Sequence, residues 1–296
     1  MTKVSVVIVA HNEATKLDRC LSSINGFSDD VVVIDLASTD NTTQIAQKHE
    51  AKLVSHEYVQ LVEEIRQESF QYAKHDYILL LDPDEELTPQ LIKALSDLSI
   101  EKYAAIYIPR KNIVFGKWIQ NSRWWPDHQV KLINKNHVKW PKTIHAKPIN
   151  SGTEYRLAGS ETNALIHHNY TDLTDFLSKN LRYASAEAGD LLNSGTKLSL
   201  QTTMKKSVSE FVSRYFFAHG YRDGMHGFTL AFLQLIYYYL VYFYYWEGKK
   251  YQTIESETEL LQHPKELFRH AYKEVKYWTQ QVGKRNIKDK LIRKFI

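Results

Sequence analysis

The first third of the chain alternates between short apolar runs and longer segments with helical periodicity. Residues 4–10 form a continuous, β-branched run, which is typical of a strand buried on both faces. Residues 12–24 carry apolar side chains every three or four positions and predict a helix, and residues 31–34 predict a second strand. This strand, helix, strand order predicts a parallel sheet with helices on its faces.

The same alternation continues as far as residue 81. Residues 40–48 and 61–73 predict helices, and residues 52–55 and 77–81 predict strands. Doubly wound sheets of this kind bind ligands outside the carboxyl ends of their strands. Polar side chains follow three of the predicted strands, and they are His11, Asn12 and Glu13, then Asp35, then Asp82 and Asp84.

The strand predicted at residues 77–81 runs directly into the carboxylates of Asp82 and Asp84. Two aspartates one residue apart at a strand end can hold a divalent cation and, through it, a diphosphate. The alternative is a solvated turn or a helix start, because residues 85–89 also suit a helix N-terminus. The chain lacks the glycine-rich loops of dinucleotide-dependent dehydrogenases and P-loop enzymes, so a metal is the predicted means of neutralising a diphosphate.

Composition indicates a folded protein in a reducing compartment. The 296 residues are 43% hydrophobic and 24% charged, as in ordinary globular proteins. Cys20 is the single cysteine, so no internal disulfide is possible and a cytoplasmic location is predicted. The N-terminal residues show no charged leader followed by an apolar segment, and we expect no export.

The C-terminal part of the chain has helical periodicity and two features that suggest a lipid surface. Residues 228–246 contain no charged residue and are just long enough to cross a hydrocarbon core. Their many tyrosines favour the headgroup region, so we expect a helix lying in or against the membrane, with a helix of a soluble core as the alternative. Basic residues cluster in positions 284–294, which favours anionic lipid, and no motif supports a nucleic-acid role.

Three motifs in this order resemble the family 2 glycosyltransferases with the GT-A fold. They are VSVVIVAHNE at residues 4–13, VIDLASTD at residues 33–40 and LDPDEEL at residues 81–87. Residues 109–133 and 166–184 are similar to the bacterial lipopolysaccharide-core subgroup of that family. After the aspartate of the second motif the family usually has glycine or a small polar residue, where this chain has leucine and alanine.

The resemblance implies an α/β fold, in which a GT-A, mostly parallel sheet is flanked by helices and followed by a helical extension. It implies a glycosyltransferase domain at residues 1–170, with a nucleotide-sugar half at 1–110 and an acceptor half at 111–170. Residues 171–296 would form the helical, membrane-associating extension.

The resemblance also implies roles for residues at the strand ends. Asp35 would accept hydrogen bonds from the nucleobase, most often uracil, with His11, Glu13 and Arg66 nearby. The alternative for Asp35 is a cap for the turn at residues 38–41.

The metal site implied by the resemblance would use the two aspartates of the third motif. Asp82 would face the ribose and the metal, and Asp84 would ligate Mg²⁺ or Mn²⁺ and stabilise charge on the leaving diphosphate. His145 and His167 are further candidates for contact with the metal or the diphosphate. Either histidine could instead be structural.

An inverting transfer needs one more carboxylate to deprotonate the acceptor hydroxyl. Asp127 is the predicted base, because it follows Trp124 and Trp125, which could form an acceptor platform. We expect partial burial beside these rings to raise its pKa. An aspartate after proline is also common in turns, and the tryptophans are equally compatible with core packing.

The predicted function is therefore an inverting, metal-dependent transfer of a sugar from a nucleotide-sugar, most often a UDP-sugar, to a lipid-linked saccharide. We expect this to occur at the cytoplasmic face of the inner membrane, in lipopolysaccharide core or similar surface glycan biosynthesis. A polyprenyl-phosphate sugar transferase is one alternative, which a strongly basic acceptor pocket would favour. The other is a non-catalytic scaffold of a membrane glycan complex, which the number of acids at strand ends argues against.

Overall fold

A computed structural model describes residues 3–141, 147–253 and 255–292, with side chains described as far as residue 284. The chain divides into two compact units. Residues up to Ile113 and Trp125–Asn169 form the first unit, and Val114–Trp124 and the residues from Tyr170 onward form the second.

The secondary structure begins with alternating strands and helices and ends with long helices. The first elements are β1 (Val4–Ala10), α1 (Ala14–Ser23), β2 (Val31–Leu36), α2 (Thr42–Lys48), β3 (Lys52–His56), α3 (Glu63–Ser69), β4 (Tyr77–Leu81), β5 (Glu85–Glu86) and α4 (Pro89–Asp97). They are followed by β6 (Ala105–Val114), β7 (Lys117–Trp118), β8 (Asp127–Asn134), β9 (Val138–Lys139), β10 (Ile149–Asn150), β11 (Glu154–Arg156) and β12 (Leu165–Tyr170). The remaining helices are α5 (Leu173–Asn193), α6 (Leu200–Val212), α7 (Met225–Gly248) and α8 (Glu257–Ile292).

The parallel half of the sheet is the part that sequence periodicity predicts. Strands β3, β2, β1 and β4 lie side by side in that order, and all three pairings are parallel. Ala10 is in register with Asp35, and Ile8 is in register with Leu81. The three strands therefore end at one edge of the sheet, which brings the polar residues after β1, β2 and β4 together.

Beyond β4 the sheet continues with β8, β6, β12 and β5. The β4–β8, β8–β6 and β12–β5 pairings are antiparallel. Arg110 on β6 lies opposite Asp127 on β8, and His167 on β12 lies opposite Glu85 on β5. The predicted fold class is confirmed, and the antiparallel half is an addition that places further charged side chains beside the end of β4.

Both faces of the central strands are buried, as the continuous apolar runs require. Val6 and Ile8 of β1 point into one core with Leu17 and Leu79, and Val7 points into the opposite core. This alternation follows from the two-residue period of a strand. Each such aliphatic side chain contributes about 2 kcal/mol on burial, which fixes the strand ends that carry the polar residues.

In the second unit, α5 and α6 both pack against α7, and α8 packs against α6. The buried side of α7 includes Tyr237, whose hydroxyl donates to Glu187 at 2.6 Å, and Tyr242, whose hydroxyl donates to Glu255 at 2.7 Å. Among the described residues, α7 is the helix whose length and apolar composition would suffice to cross a membrane. Part of its surface is exposed, through Phe232, Phe243 and other large apolar residues.

Candidate active site

The loops that follow β1 and β2 are tied to each other by side chains. Asn12 has a left-handed backbone (φ 55°), and its side-chain oxygen accepts from the Thr39 N–H at 2.7 Å. The Asn12 N–H donates to the Ser38 hydroxyl at 2.9 Å. His11 Nδ1 lies 2.6 Å from the Leu36 carbonyl oxygen. These contacts hold both loops at the carboxyl edge of the sheet.

Asp35 is buried at the end of β2 and accepts from the Ser38 N–H at 3.2 and 3.3 Å. The turn-cap interpretation of Asp35 therefore describes an observed contact, and contact with a nucleobase stays a prediction. Ala37 within this turn has φ 54°, at the point where the related family usually has a small residue. Glu13 forms an ion pair with Lys16 at 2.9 Å.

Asp82, at the end of β4, is paired with two cations. Its carboxylate lies 3.3 Å from Arg66 Nη2 and 2.7 Å from Lys131 Nζ. Burial opposes ionisation, but the charges of Lys131, Arg66 and Arg110 outweigh it and hold the pKa of Asp82 far below its usual range. Asp82 is therefore ionised, and both its oxygens are engaged by basic side chains.

Glu85 does not begin a helix. It lies in β5 with its side chain fully buried, and Oε2 accepts from Lys131 Nζ at 2.6 Å and from the Asp82 N–H at 3.0 Å. The helix begins later, where the Thr88 hydroxyl accepts from the Leu91 N–H at 3.1 Å and caps α4. Lys131 thus joins Asp82, which was predicted to face the ribose and the metal, to Glu85, and neither the solvated turn nor the helix start describes Glu85.

Asp127 begins β8 and is held by three neighbouring side chains. Arg110 Nε and Nη2 lie 2.9 and 2.7 Å from Oδ2, Asn112 Nδ2 donates to Oδ2 at 3.1 Å, and Gln129 Nε2 donates to Oδ1 at 2.6 Å. Burial raises the pKa of this carboxyl, but Arg110 and the two amides outweigh burial and lower the pKa below its usual value. The expectation of a raised pKa is therefore wrong, because it took account of burial and not of the cation on β6.

Asn112 is fully buried and bridges Asp127 to a histidine. Its amide nitrogen donates to the Asp127 carboxylate, so its carbonyl oxygen faces His167 Nδ1 at 2.6 Å. Nδ1 must then carry a proton, and Nε2 lies 3.5 Å from Asp84 Oδ1. When the imidazole is neutral, with its proton on Nδ1, Nε2 and Asp84 Oδ1 are both acceptors, and such a pair is suited to share a cation.

The residues present fit a metal through the pair Asp84 and His167, with the remaining ligands supplied by substrate oxygens. Within the part of the chain that the structure describes, no group of three His, Cys, Asp or Glu side chains could hold an ion. The oxygens of Asp82 are taken by Arg66 and Lys131, and coordination by Asp82 would require their displacement. His145 lies outside the described residues.

The two tryptophans that precede Asp127 belong to different units. Trp124 packs in the second unit with Val114 and Phe176, and its ring lies 6.5 Å from that of Tyr170. For Trp124, these contacts correspond to the core-packing alternative that the sequence left open. Trp125 belongs to the first unit, and an acceptor platform built from both rings stays a prediction.

Sequence analysis overlooked Lys131, Arg110, Asn112 and Gln129. A strand places every second side chain on one face, so Arg110 and Asn112 share a face of β6. On β8 Asp127 and Gln129 share a face in the same way, whereas Lys131 lies where the register with β6 shifts, between Val130 and Leu132. Polar residues at alternate positions of two strands were the available signal that these strands face a charged site.

One protein family matches more than half of the chain. It is described as "Glycosyl transferase family 2", and the match covers residues 5–170, a range that contains Asp35, Asp84, Asp127 and His167. The chain therefore belongs to glycosyltransferase family 2, and it is an enzyme that transfers sugars.

Two relatives from Rickettsia are also named glycosyltransferases. The chain is 27% identical over 241 residues to an uncharacterized glycosyltransferase from Rickettsia conorii, covering 77% of this chain and 84% of that protein. It is 27% identical over 243 residues to one from Rickettsia felis, with 77% and 84% covered. A mannosyltransferase from Pyrobaculum calidifontis in complex with GDP-Man and Mn²⁺ aligns with a TM-score of 0.45 at 16% identity, over 67% of this chain and 65% of that chain.

Proposed function

We propose that this glycosyltransferase moves a sugar from a nucleotide-sugar, in the first place a UDP-sugar, to a hydroxyl of a lipid-linked saccharide, with inversion and with help from Mg²⁺ or Mn²⁺. The observation that carries the proposal is the convergence of acids on one sheet edge of the first unit. Asp35, Asp84 and Asp127 lie at or beside ends of β2, β4 and β8, where open α/β sheets bind ligands.

The donor would contact a buried arginine. Arg66 forms an ion pair with Asp82 through Nη2, and its guanidinium lies 5.4 Å from the centre of the Trp140 ring. Its Nε atom is buried and has no hydrogen-bond partner among the described residues. Buried donors in folded proteins are normally satisfied, so this atom is suited to an oxygen of the bound nucleotide.

Asp84 and His167 would hold the metal. The bound cation supplies stabilisation of the charge that develops on the leaving diphosphate. Because one of these two ligands is an imidazole, we expect Mn²⁺ to be preferred to Mg²⁺, which favours oxygen ligands. Asn112 accepts a hydrogen bond from Nδ1 of His167 and so orients Nε2 toward Asp84.

Asp127 would take the proton of the acceptor hydroxyl. Its Oδ2 atom receives hydrogen bonds from Arg110 and Asn112, whereas Oδ1 accepts only from Gln129 among the described residues. Oδ1 is therefore the less stabilised and more basic oxygen, and we assign proton abstraction to it. The ion pair with Arg110 keeps Asp127 ionised before the acceptor binds.

A hydroxyl acceptor is favoured over a polyprenyl phosphate. Arg110 and Lys131 are the basic side chains nearest to Asp127 and Asp82, and both are already neutralised by acids. The described part of the site therefore offers no uncompensated basic pocket for a phosphate acceptor. A scaffold role is disfavoured because paired buried charges are costly to retain without a use.

The lipid-linked acceptor is supported by the second unit. Helix α7 exposes large apolar side chains, as expected for contact with lipid. Spanning the bilayer would carry the Glu187 and Glu255 carboxylates, which accept from α7 tyrosines, into hydrocarbon. We therefore propose peripheral association with the cytoplasmic face of the inner membrane, and surface glycan or lipopolysaccharide core as the product.

The test is a panel of UDP-, GDP- and dTDP-sugars with Mn²⁺ or Mg²⁺, read by donor binding and hydrolysis. Asp84→Ala is compared with Asp97→Ala, which makes the same change at an exposed position on α4. We expect metal-dependent binding of one donor in the wild type and Asp97→Ala, and its loss in Asp84→Ala. Absence of metal-dependent binding to every donor would contradict the proposal.

A further inference from the structure

Helix α8 exposes an apolar stripe along one side. Leu267, Ala271 and Trp278 pack against α6 and its continuation. Another set of apolar residues, spaced by seven, four and three positions, lies on a different face of the helix. These residues form the apolar stripe, and their exposed fractions are 80% for Leu261, 73% for Phe268, 65% for Tyr272 and 37% for Val275.

A basic stripe lies directly beside the apolar stripe. Its members are spaced by four, four and three positions, so they also share one side of the helix, and all are exposed. The acids in the same segment, Glu266 and Glu274, fall outside this stripe. The basic stripe consists of Lys265, Arg269, Lys273 and Lys276.

The basic stripe borders a groove between α6 and α8. Lys205 of α6 joins Arg269 and Lys273 along this groove, which has a volume of about 380 Å³. The one acid in the groove, Glu266, accepts a hydrogen bond from Gln201 at 2.9 Å. None of the three cations has a hydrogen bond or ion pair with another described residue, so the groove presents positive charge to an external anion.

We infer that the apolar and basic stripes of α8 together dock on an anionic lipid bilayer. The apolar side chains would enter the acyl boundary, and the flanking cations would extend to the phosphates of the headgroups. The inference rests on the proposed function, because it names the surface through which the enzyme reaches a lipid-linked acceptor. It assigns charge-dependent contact to α8, whereas the segment at residues 228–246, which sequence analysis singled out, has no charge.

Charge complementarity selects lipid over a second copy of the chain. A two-fold symmetric dimer uses the same patch on both partners, so the basic stripes of α8 would be brought toward each other. An anionic bilayer instead neutralises all of these cations at once. Each cation near such a surface contributes about a fivefold factor to membrane partitioning, and the contribution falls with salt.

The experiment is co-sedimentation of the full chain with phosphatidylcholine vesicles that either contain or lack phosphatidylglycerol. We expect the wild type to bind the anionic vesicles much more strongly. The double variant Arg269→Gln/Lys273→Gln should lower that partitioning about 25-fold. Phe268→Ser/Tyr272→Ser should lose binding to both kinds of vesicle.

Matched controls make the same chemical changes in the first unit. Lys93→Gln/Lys102→Gln removes two exposed cations, and Ile149→Ser removes an exposed apolar side chain. All variants are compared by circular dichroism and thermal melting, so that loss of folding is recognised. Equal vesicle binding by the α8 cation variant and its control would overturn the inference.

Two further readouts separate the docking surface from the proposed function. Sedimentation velocity measures whether the chain forms a dimer. The inference would also be overturned if the wild type is a dimer that does not bind anionic vesicles and if Phe268→Ser/Tyr272→Ser abolishes that dimer. Binding of UDP with Mn²⁺ is measured on the same preparations. Nucleotide binding without vesicle binding rejects the docking surface alone, and vesicle binding without nucleotide binding rejects the proposed donor site alone.

Discussion

The ion pair between Asp127 and Arg110 sets the pH range in which Asp127, the proposed base, is ionised. Arg110, Asn112 and Gln129 lower the pKa of Asp127, so the group is ionised at every pH above its usual range. A base with a lowered pKa loses its function only as the pH falls below about 4, the ordinary value for aspartate. The same pairing lowers its intrinsic basicity, and this is compatible with a reaction in which the metal assists departure of the diphosphate.

We predict that kcat/KM of the wild type, measured at Mn²⁺ concentrations that keep the metal site filled at every pH, has no acid-side decline between about pH 5 and pH 8. In Arg110→Gln the main cation is lost and burial then carries more weight, so the decline should move to higher pH. Steady-state rates across this range, with donor stability checked at each pH, make the comparison. A wild-type decline centred near neutral pH would contradict the lowered pKa.

Asn112 is predicted to be a positioning residue for the metal. Asn112→Ala removes the partner that fixes the proton on Nδ1 of His167, and loss of such an outer contact costs about tenfold to a hundredfold in metal affinity. Mn²⁺ binding followed by electron paramagnetic resonance measures the effect without relying on turnover. His167→Ala should weaken Mn²⁺ binding further, and Asn150→Ala, at a surface strand, should leave it unchanged. Unchanged Mn²⁺ affinity in Asn112→Ala would refute this role.

Lys131 is predicted to stabilise the fold as well as the site. Lys131→Ala leaves Asp82 and the buried Glu85 without their shared cation, and breaking a buried pair costs about 3–5 kcal/mol. Urea unfolding gives the free energy of unfolding for this variant and for Lys135→Ala, whose amine donates to the Ala73 carbonyl at 2.8 Å. An equally small decrease in the free energy of unfolding for both variants would show that the cluster of Lys131, Asp82 and Glu85 does not stabilise the fold.

At the scale of elements, the turn after β2 carries a backbone that suits glycine better than alanine. Ala37 has φ 54°, a region that costs a non-glycine residue about 1 kcal/mol or more. Ala37→Gly should therefore raise the free energy of unfolding by up to about 1 kcal/mol. Ala46→Gly, within α2, should lower it by about 1 kcal/mol. Urea unfolding of both variants checks the signs, and destabilisation by Ala37→Gly would contradict the left-handed turn.

The parallel elements were predictable because apolar periodicity alone defines them. Strands β1 and β4 begin and end where the apolar runs do. Helices α1 and α2 start two residues later than predicted, because the side chains of Asn12 and Asp40 bond to the backbone of the loops. Such local side-chain bonds compete with the first turn of a helix.

The antiparallel elements were not predictable in the same way. Strands β6 and β8 carry the cations Arg110 and Lys131, which pair with Asp82 and Glu85, so their pattern resembles that of a surface motif. Their pairing joins residues far apart in the chain, as Lys131 and Glu85 are separated by 46 positions. The spacing of apolar residues predicts which positions are buried against apolar neighbours. It does not predict that a charged residue is buried against a residue of opposite charge.

At the scale of the whole molecule, each unit carries a separate part of the account. The first unit holds the acids, their compensating cations and the Asp84–His167 pair. The second unit holds the exposed apolar residues of α7 and the apolar and basic stripes of α8. Family membership follows from the first unit, and the proposed lipid contact follows from the second.

The central claim is that Asp84 and His167 hold the metal to which the donor diphosphate binds. Anomalous diffraction from crystals of the full chain grown with UDP and Mn²⁺ tests it most directly. The account predicts a manganese peak within coordination distance of the Asp84 carboxylate and His167 Nε2, with the diphosphate as a further ligand. UDP bound at the sheet edge without manganese, or with manganese on other side chains, would contradict it.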